Sequence, residues 1–125
     1  MDNKIIYQNY ISMISIQALY CIGGYVTYEV SISTGGFAGI CNFCISEDKV
    51  EDYILVIDNM INSLSGEIEI RDCESDAYLK LFFEGMMNFY VLGQIGGSYG
   101  DNTLKFKLKA DQTILLRVKE KLLDY

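Results

Sequence analysis

The chain of 125 residues contains no histidine and no tryptophan. The absence of histidine removes the commonest general base and the commonest zinc ligand. It also removes the base of the Ser-His and Cys-His nucleophile systems. No segment is long and apolar enough to span a bilayer, because the best candidate, 53–64, is short and contains Asp58. The first residues also lack the apolar region of a signal peptide. We therefore expect a cytoplasmic protein.

The charge balance is acidic, with 17 acidic residues against 10 basic ones and a net charge of −7. Binding to the phosphates of a nucleic acid needs a basic face, so a nucleic-acid partner is not expected. An acidic surface suits a basic protein partner, or it simply keeps the protein soluble. The length and the hydrophobic half of the composition predict a single domain over residues 1–125.

The last part of the chain gives the clearest structural pattern. Between positions 104 and 109, apolar residues alternate with Lys105, Lys107 and Lys109, which predicts a strand with one buried face. Asp111 is then expected to cap an amphipathic helix. The apolar residues expected on its buried side recur at helical spacing. They are Ile114, Leu115, Val118 and Leu122.

A second helix is predicted to begin after Ser46, which can accept hydrogen bonds from the first free backbone amides. It is expected to end at Ser65 and Gly66, with Gly66 in the left-handed conformation. Its expected buried residues also follow helical spacing. They are Val50, Tyr53, Ile54, Ile57, Ile61 and Leu64.

Alternating apolar residues predict several further strands, joined by glycine-rich or acidic turns. The predicted strands lie near 14–20, 26–32, 41–45, 67–73, 78–84 and 86–95. Short joints favour an antiparallel meander of about six to seven strands, with the two helices packed on one face. This is an α+β fold, in which residues 1–11 form either a loose arm or an edge strand.

Two motifs that could bind a ligand have a structural interpretation instead. Cys41 and Cys44 form a CxxC, but both lie in a predicted strand, and an odd separation sends their sulfurs to opposite faces. We interpret them as small apolar residues, and we expect no metal, no cofactor and no catalytic residue, even with Cys21 and Cys73 included. The glycine runs at 35–39 and 93–97 lack a following Lys-Ser or Lys-Thr pair and are interpreted as hairpin turns and a bulge.

Outward-facing tyrosines and carboxylates are the best candidates for contact with a partner. Tyrosine covers much area at low entropic cost, and a surface of Tyr, Glu and Asp would suit a basic protein. The alternative for the acids is a solvated surface, on which they pair across strands with Lys105, Lys107 and Lys109. The alternative for the tyrosines is that they pack in the core or at an edge of the sheet. The candidate partner-binding residues are Glu67, Glu69, Asp72, Glu74, Asp76, Tyr78 and Tyr90.

The order of these parts resembles a known family. Gly35-Gly36-Phe37-Ala38-Gly39 precedes a strand and a helix, and the segment 67–73, EIEIRDC, follows. The segment 76–85, DAYLKLFFEG, leads to Gly93-Gln94-Ile95-Gly96, and Phe106 stands four residues before Ala110-Asp111-Gln112-Thr113 and the last helix. Over roughly residues 24–122 the chain is similar to the WapI-type immunity proteins of bacterial polymorphic and contact-dependent toxin systems.

The resemblance implies a non-enzymatic antitoxin. Such a protein binds a cognate toxin domain, often a nuclease, in the cytoplasm of the producing cell and neutralises it by occlusion. The matching motifs are structural, so the resemblance assigns no contact residue. Two other functions stay open: a small ligand-binding or enzymatic α+β domain with a pocket between sheet and helices, or a homodimer formed through the outer sheet face.

Overall fold

The computed structural model describes residues 3–86, 88–97 and 102–125, and it confirms the α+β class. Its elements, in chain order, are two groups of four strands, each followed by a helix. The first group is β1 (Ile5–Gln8), β2 (Ser12–Ile22), β3 (Tyr25–Thr34), β4 (Phe37–Ser46) and α1 (Glu47–Ser63). The second is β5 (Glu67–Arg71), β6 (Tyr78–Glu84), β7 (Asn88–Gly96), β8 (Thr103–Ala110) and α2 (Thr113–Leu123).

The strands form two antiparallel sheets of four, in the orders β1-β2-β3-β4 and β5-β6-β7-β8, instead of the predicted single sheet of six to seven strands. Each sheet is a meander, because every strand pairs with its neighbours in sequence. The break falls where α1 separates β4 from β5. The edge of β4 bonds to the loop after β5, through a 3.0 Å hydrogen bond from the amide of Cys73 to the carbonyl of Cys44.

One core lies between the sheets and the helices. α1 lies against β4 and β5, and α2 lies against β1 and β2. The sheets meet where β4 contacts β7 and β8: a Cβ atom at Gly39 would lie 3.1 Å from the side chain of Ile95 and 3.3 Å from that of Leu104. The helices also contact each other, and Lys119 forms a 2.7 Å ion pair with Asp58. The two helices thus pack against two sheets and not against the predicted single sheet.

The first helix begins as predicted but ends differently. The hydroxyl of Ser46 accepts a 3.2 Å hydrogen bond from the amide of Lys49. At the other end the left-handed residue that closes the helix is Leu64, with φ of 51°. Gly66, two residues later, also has the positive φ that was predicted, at 97°. Leu64 is therefore exposed, and Met60 takes the last buried place in the apolar stripe.

The second helix begins at Thr113, so its cap position is Gln112 rather than Asp111. The carboxylate of Asp111 nevertheless accepts a 2.8 Å hydrogen bond from the amide of Thr113. All four apolar residues predicted for the inner side of this helix are buried.

The start of the chain is an edge strand: residues 5–8 pair with β2. Two residues of the sequence predictions lie outside the described residues: Met87, in the predicted strand 86–95, and Tyr99, which the sequence predicts to lie in a turn. In the described ranges, no helix has the length and apolarity needed to cross a membrane.

Candidate functional site

Four of the seven predicted partner-binding residues share the outer face of the second sheet. The strand register places three rows of side chains across this face, each with one residue from every strand. The rows are Glu67–Phe82–Tyr90–Lys109, Glu69–Lys80–Leu92–Lys107 and Arg71–Tyr78–Gln94–Lys105. Glu67, Glu69, Tyr78 and Tyr90 thus lie on one continuous surface, as their alternation predicts.

The aromatic rings of this face are partly covered by neighbouring side chains. Phe82 and Tyr90 stack with ring centroids 5.6 Å apart. Lys107 lies 4.8 Å from the ring centre of Tyr90, and Arg71 lies 5.6 Å from that of Tyr78. Since these cations occupy the ring faces, the rings offer a partner less area than freely exposed tyrosines would.

The charge of this face differs from the predicted acidic surface. Its three rows contain five lysines and arginines but only two carboxylates, so the face is cationic on balance. Glu67 pairs with Lys80 at 3.4 Å, and Glu69 pairs with Arg71 at 3.0 Å. The predicted pairing of the β8 lysines with these acids is wrong, because β6 and β7 lie between β5 and β8.

The other three predicted residues, Asp72, Glu74 and Asp76, lie in the loop between β5 and β6. Asp72 is only 8% exposed. Its carboxylate accepts hydrogen bonds from the amide of Cys44 at 2.9 Å, the amide of Glu74 at 3.2 Å and the hydroxyl of Ser75 at 2.5 Å. Asp72 therefore fastens the loop to the end of β4, whereas Glu74 and Asp76 are exposed.

This loop adjoins one end of the first sheet. A cleft of about 310 Å³ separates them, and its lining combines loop acids with outer-face side chains of β2, β3 and β4. The lining residues are Tyr20, Thr27, Asn42, Cys44, Asp72 and Glu74. The structure thus divides the predicted patch, leaving four residues on the second sheet and three beside the first.

A second acidic surface surrounds the turn between β2 and β3. We call it the hairpin end and define it by Tyr20, Ile22, Tyr25, Glu47, Glu51 and Tyr125. The amide of Glu47 donates a 2.9 Å hydrogen bond to the carbonyl of Gly24 in the turn. The carboxylate of Glu47 accepts from the thiol of Cys21 at 3.3 Å and from the hydroxyl of Tyr125 at 3.4 Å. These contacts bring the start of α1, the hairpin and the C-terminal tyrosine together.

The hairpin end combines exposed apolar area with negative charge. Tyr20, Tyr25 and Tyr125 are each about half exposed, and Ile22 is 70% exposed. Partial burial and then the charges of Glu47 and Glu51 raise the pKa of Tyr125. Four of the first six residues of α1 are acidic, with Lys49 as their single cation. This end has the Tyr, Glu and Asp composition that the sequence led us to expect on the outer sheet face.

Sequence reasoning overlooked the hairpin end because its acids had another explanation. Negative charge in the first turn stabilises a helix by itself, so Glu47 and its neighbours need no partner to account for them. The available signal was the hairpin of β3 and β4, whose register pairs Tyr25 with Ser46, the residue before this acidic run. Tyr125 gave no signal, because only the tertiary fold brings it beside Glu47.

The alternative of a ligand-binding domain has a candidate cleft of about 460 Å³ between β1 and α2. Residues Ile5–Gln8 line one side. Asp111, Arg117, Glu120 and the half-buried Lys121 contribute charged groups to the other. Three of these four charged side chains are exposed, so most of the charge in the cleft stays in contact with solvent.

Comparisons of the chain with protein-family models, with curated proteins and with solved structures gave no match.

Proposed function

We propose that this protein is an immunity-type binding protein, which neutralises a cognate bacterial toxin domain by occluding it with the hairpin end. The observation that carries the proposal is the coincidence of exposed tyrosines with clustered carboxylates at this end. The resemblance to WapI-type immunity proteins supports the same function. The proposed partner is a basic protein domain, for example a nuclease.

The exposed aromatic residues supply the apolar centre that a protein interface needs. Tyrosine is enriched in interfaces because it buries a large area, fixes few torsion angles and still forms hydrogen bonds. Tyr20, Tyr25 and Ile22 lie on the outer side of the β2–β3 hairpin, where Ile22 pairs directly with Tyr25. The regular backbone of the hairpin holds these side chains in place before the partner arrives, which lowers the entropic cost of binding.

The surrounding carboxylates determine which partners fit. Glu47 and Glu51 are one helical turn apart, and the cleft at Tyr20 connects the hairpin end with Glu74. Acids on both sides of the tyrosines favour a cationic surface such as a nuclease cleft. Such charge complementarity speeds association and weakens as salt screens it. A stable complex would bury on the order of 1,600 Å² in total.

The test uses two double variants with the same loss of charge. Glu47→Gln/Glu51→Gln removes two carboxylates from the hairpin end, and Glu67→Gln/Glu69→Gln removes two from the second sheet. The tagged wild-type protein first captures partners from a lysate of the source organism, and these are identified by mass. Affinities of the purified partner for all three proteins are then measured at low and high salt. We expect the hairpin-end variant to bind at least about 10-fold more weakly, and the sheet variant within about 2-fold of the wild type.

Co-expression tests the biological activity. The partner alone should arrest growth, and the wild-type protein should restore it better than the hairpin-end variant. A partner without toxicity, or one whose toxicity persists despite binding, would contradict the immunity function. Loss of binding only in the sheet variant would move the contact surface to the residues predicted from the sequence.

A further inference from the structure

Two cysteines from distant parts of the chain meet beside a carboxylate. Cys44 lies on the outer face of β4, where it pairs with Thr27, and Cys73 and Glu74 lie in the loop after β5. The two sulfurs and a carboxylate oxygen of Glu74 all lie within 4.8 Å of one another. The CxxC partner Cys41 belongs to the other face of β4 and packs against the core, so it takes no part in this group.

Backbone hydrogen bonds hold the three residues in place. The amide of Cys73 donates to the carbonyl of Cys44 at 3.0 Å. The nearly buried carboxylate of Asp72 accepts from the amides of Cys44 and Glu74, so one side chain fixes both segments. The two sulfurs therefore lie close together because the loop after β5 is hydrogen-bonded to the edge strand β4.

The arrangement fits a tetrahedral metal ion. Zn²⁺ binds thiolate sulfur at about 2.3 Å and carboxylate oxygen at about 2.0–2.2 Å, which places neighbouring ligand atoms roughly 3.3–3.8 Å apart. Cys73 and Glu74 are exposed, so small rotations of their side chains can close the present spacing. The adjoining cleft of about 310 Å³ gives the ion access and leaves room for water.

We propose that Cys44, Cys73 and Glu74 form a binding site for a divalent cation that prefers sulfur ligands, Zn²⁺ in the first place, with water as the fourth ligand. Two thiolates select such an ion over Mg²⁺ or Ca²⁺, which prefer oxygen ligands throughout. With three protein ligands, the water occupies the fourth position and can be exchanged for another ligand. The site shares Glu74 with the acidic surroundings of the hairpin end, but a titration with the metal ion tests it without any toxin partner.

Proton release should accompany binding. The ionisable groups near the Cys44 sulfur are Cys73 and Glu74. Asp72 is bonded to the Cys44 amide, and Tyr20 lines the same cleft. A cysteine binds a metal ion as the thiolate, so the cation has to displace the thiol protons of Cys44 and Cys73. Binding should therefore tighten as pH rises.

The experiment titrates the reduced, metal-free protein with Zn²⁺ in competition with a chromophoric chelator, and with Co²⁺ as a spectroscopic probe. We expect one ion per chain and a thiolate-to-Co²⁺ charge-transfer band. Cys73→Ser should weaken Zn²⁺ binding at least about 100-fold, because even the loss of a residue that only hydrogen-bonds to a ligand weakens metal sites about 10- to 100-fold. Glu74→Gln should weaken binding less and keep the charge-transfer band.

The matched control is Cys21→Ser, which makes the same change at an exposed thiol outside the group. It should leave the affinity within about 2-fold of the wild type. Equal Zn²⁺ affinity of Cys73→Ser and the wild type would overturn the proposal, as would a Co²⁺ spectrum without the charge-transfer band. A Cys44–Cys73 disulfide in protein isolated from the reducing cytoplasm would also overturn it. Both Cys73 and Glu74 are exposed loop residues, so their variants are expected to fold.

Discussion

The hydroxyl of Tyr28, in the middle of the first sheet, donates a 2.5 Å hydrogen bond to the backbone carbonyl of Leu122 in α2. Tyr28 is 1% exposed, and the last carbonyls of a helix have no partner within the helix. Tyr28→Phe should therefore lower the free energy of unfolding by about 1–3 kcal/mol, because it leaves this carbonyl unpaired away from water. Urea denaturation followed by circular dichroism measures the loss. The exposed Tyr20→Phe is the control and should change stability by less than about 0.5 kcal/mol; equal effects would contradict the role of the buried bond.

The same residue should make the protein sensitive to alkali. Burial raises the pKa of Tyr28 well above its ordinary value. In the unfolded chain Tyr28 loses its proton near pH 10, whereas in the folded protein it keeps the proton. The unfolded state then binds fewer protons, so the stability contributed below about pH 10 is lost progressively as pH rises. Between about pH 10 and 11, stability of the wild type should fall more steeply than that of Tyr28→Phe, by up to about 1.4 kcal/mol per pH unit. Parallel curves of unfolding free energy against pH would refute this assignment.

Much of the local structure follows from the sequence alone. Alternation places Glu67, Glu69, Tyr78 and Tyr90 on one face, because a strand has a side-chain period of two whichever strand lies next to it. The Ser46 cap is predictable for the same reason: its hydrogen bond to Lys49 spans three residues. Local rules succeed where the partner atoms are close along the chain.

The remainder depends on contacts between distant segments. The short joints predict the order of strands, which puts Lys107 beside Leu92 and not beside Glu69, but they do not predict that the strands divide into two sheets after β4. The contact between Cys44 and Cys73 likewise depends on the position of β4 as the edge strand of its sheet, where the loop after β5 can bond to it. The sequence identified the acidic and aromatic residue types suited to a partner surface, but only the fold shows which of them lie together.

The buried carboxylate of Asp72 gives a further prediction. It accepts three hydrogen bonds: one from Cys44 joins the loop after β5 to β4, and those from Glu74 and Ser75 hold the loop itself together. Asp72→Ala should lower the free energy of unfolding by about 2–3 kcal/mol, because buried amides lose a charged acceptor. Asp76→Ala, in the exposed part of the same loop, should cost less than about 0.5 kcal/mol. The two values come from urea titrations at one pH, and similar losses would show that Asp72 has no special structural role.

Gly93 occupies a crowded position within β7. A Cβ atom there would lie 2.8 Å from the ring of Phe106 and 2.8 Å from the carbonyl oxygen of Tyr78. Gly93→Ala should therefore destabilise the protein by about 1–3 kcal/mol through overpacking. Part of the clash involves the ring, so the penalty should be smaller in a Phe106→Leu background. A double-mutant cycle measures this coupling, and additive effects would mean that the ring does not cause the strain.

Leu64 closes α1 in a conformation that favours glycine. Its φ of 51° and ψ of 41° are left-handed, and its side chain is 52% exposed. A residue with a Cβ atom is disfavoured there by about 1–2 kcal/mol, whereas glycine is not. Leu64→Gly should raise the free energy of unfolding by about 0.5–1 kcal/mol, since glycine's greater unfolded-state entropy offsets part of the gain. Asn62→Gly, two residues earlier in the regular helix, should have the opposite sign and a smaller size of about 0.2–0.4 kcal/mol, because asparagine is itself a poor helix former. Thermal and urea unfolding of both variants measure the two signs; a loss of stability in Leu64→Gly would mean that the leucine side chain contributes more by packing than its backbone costs.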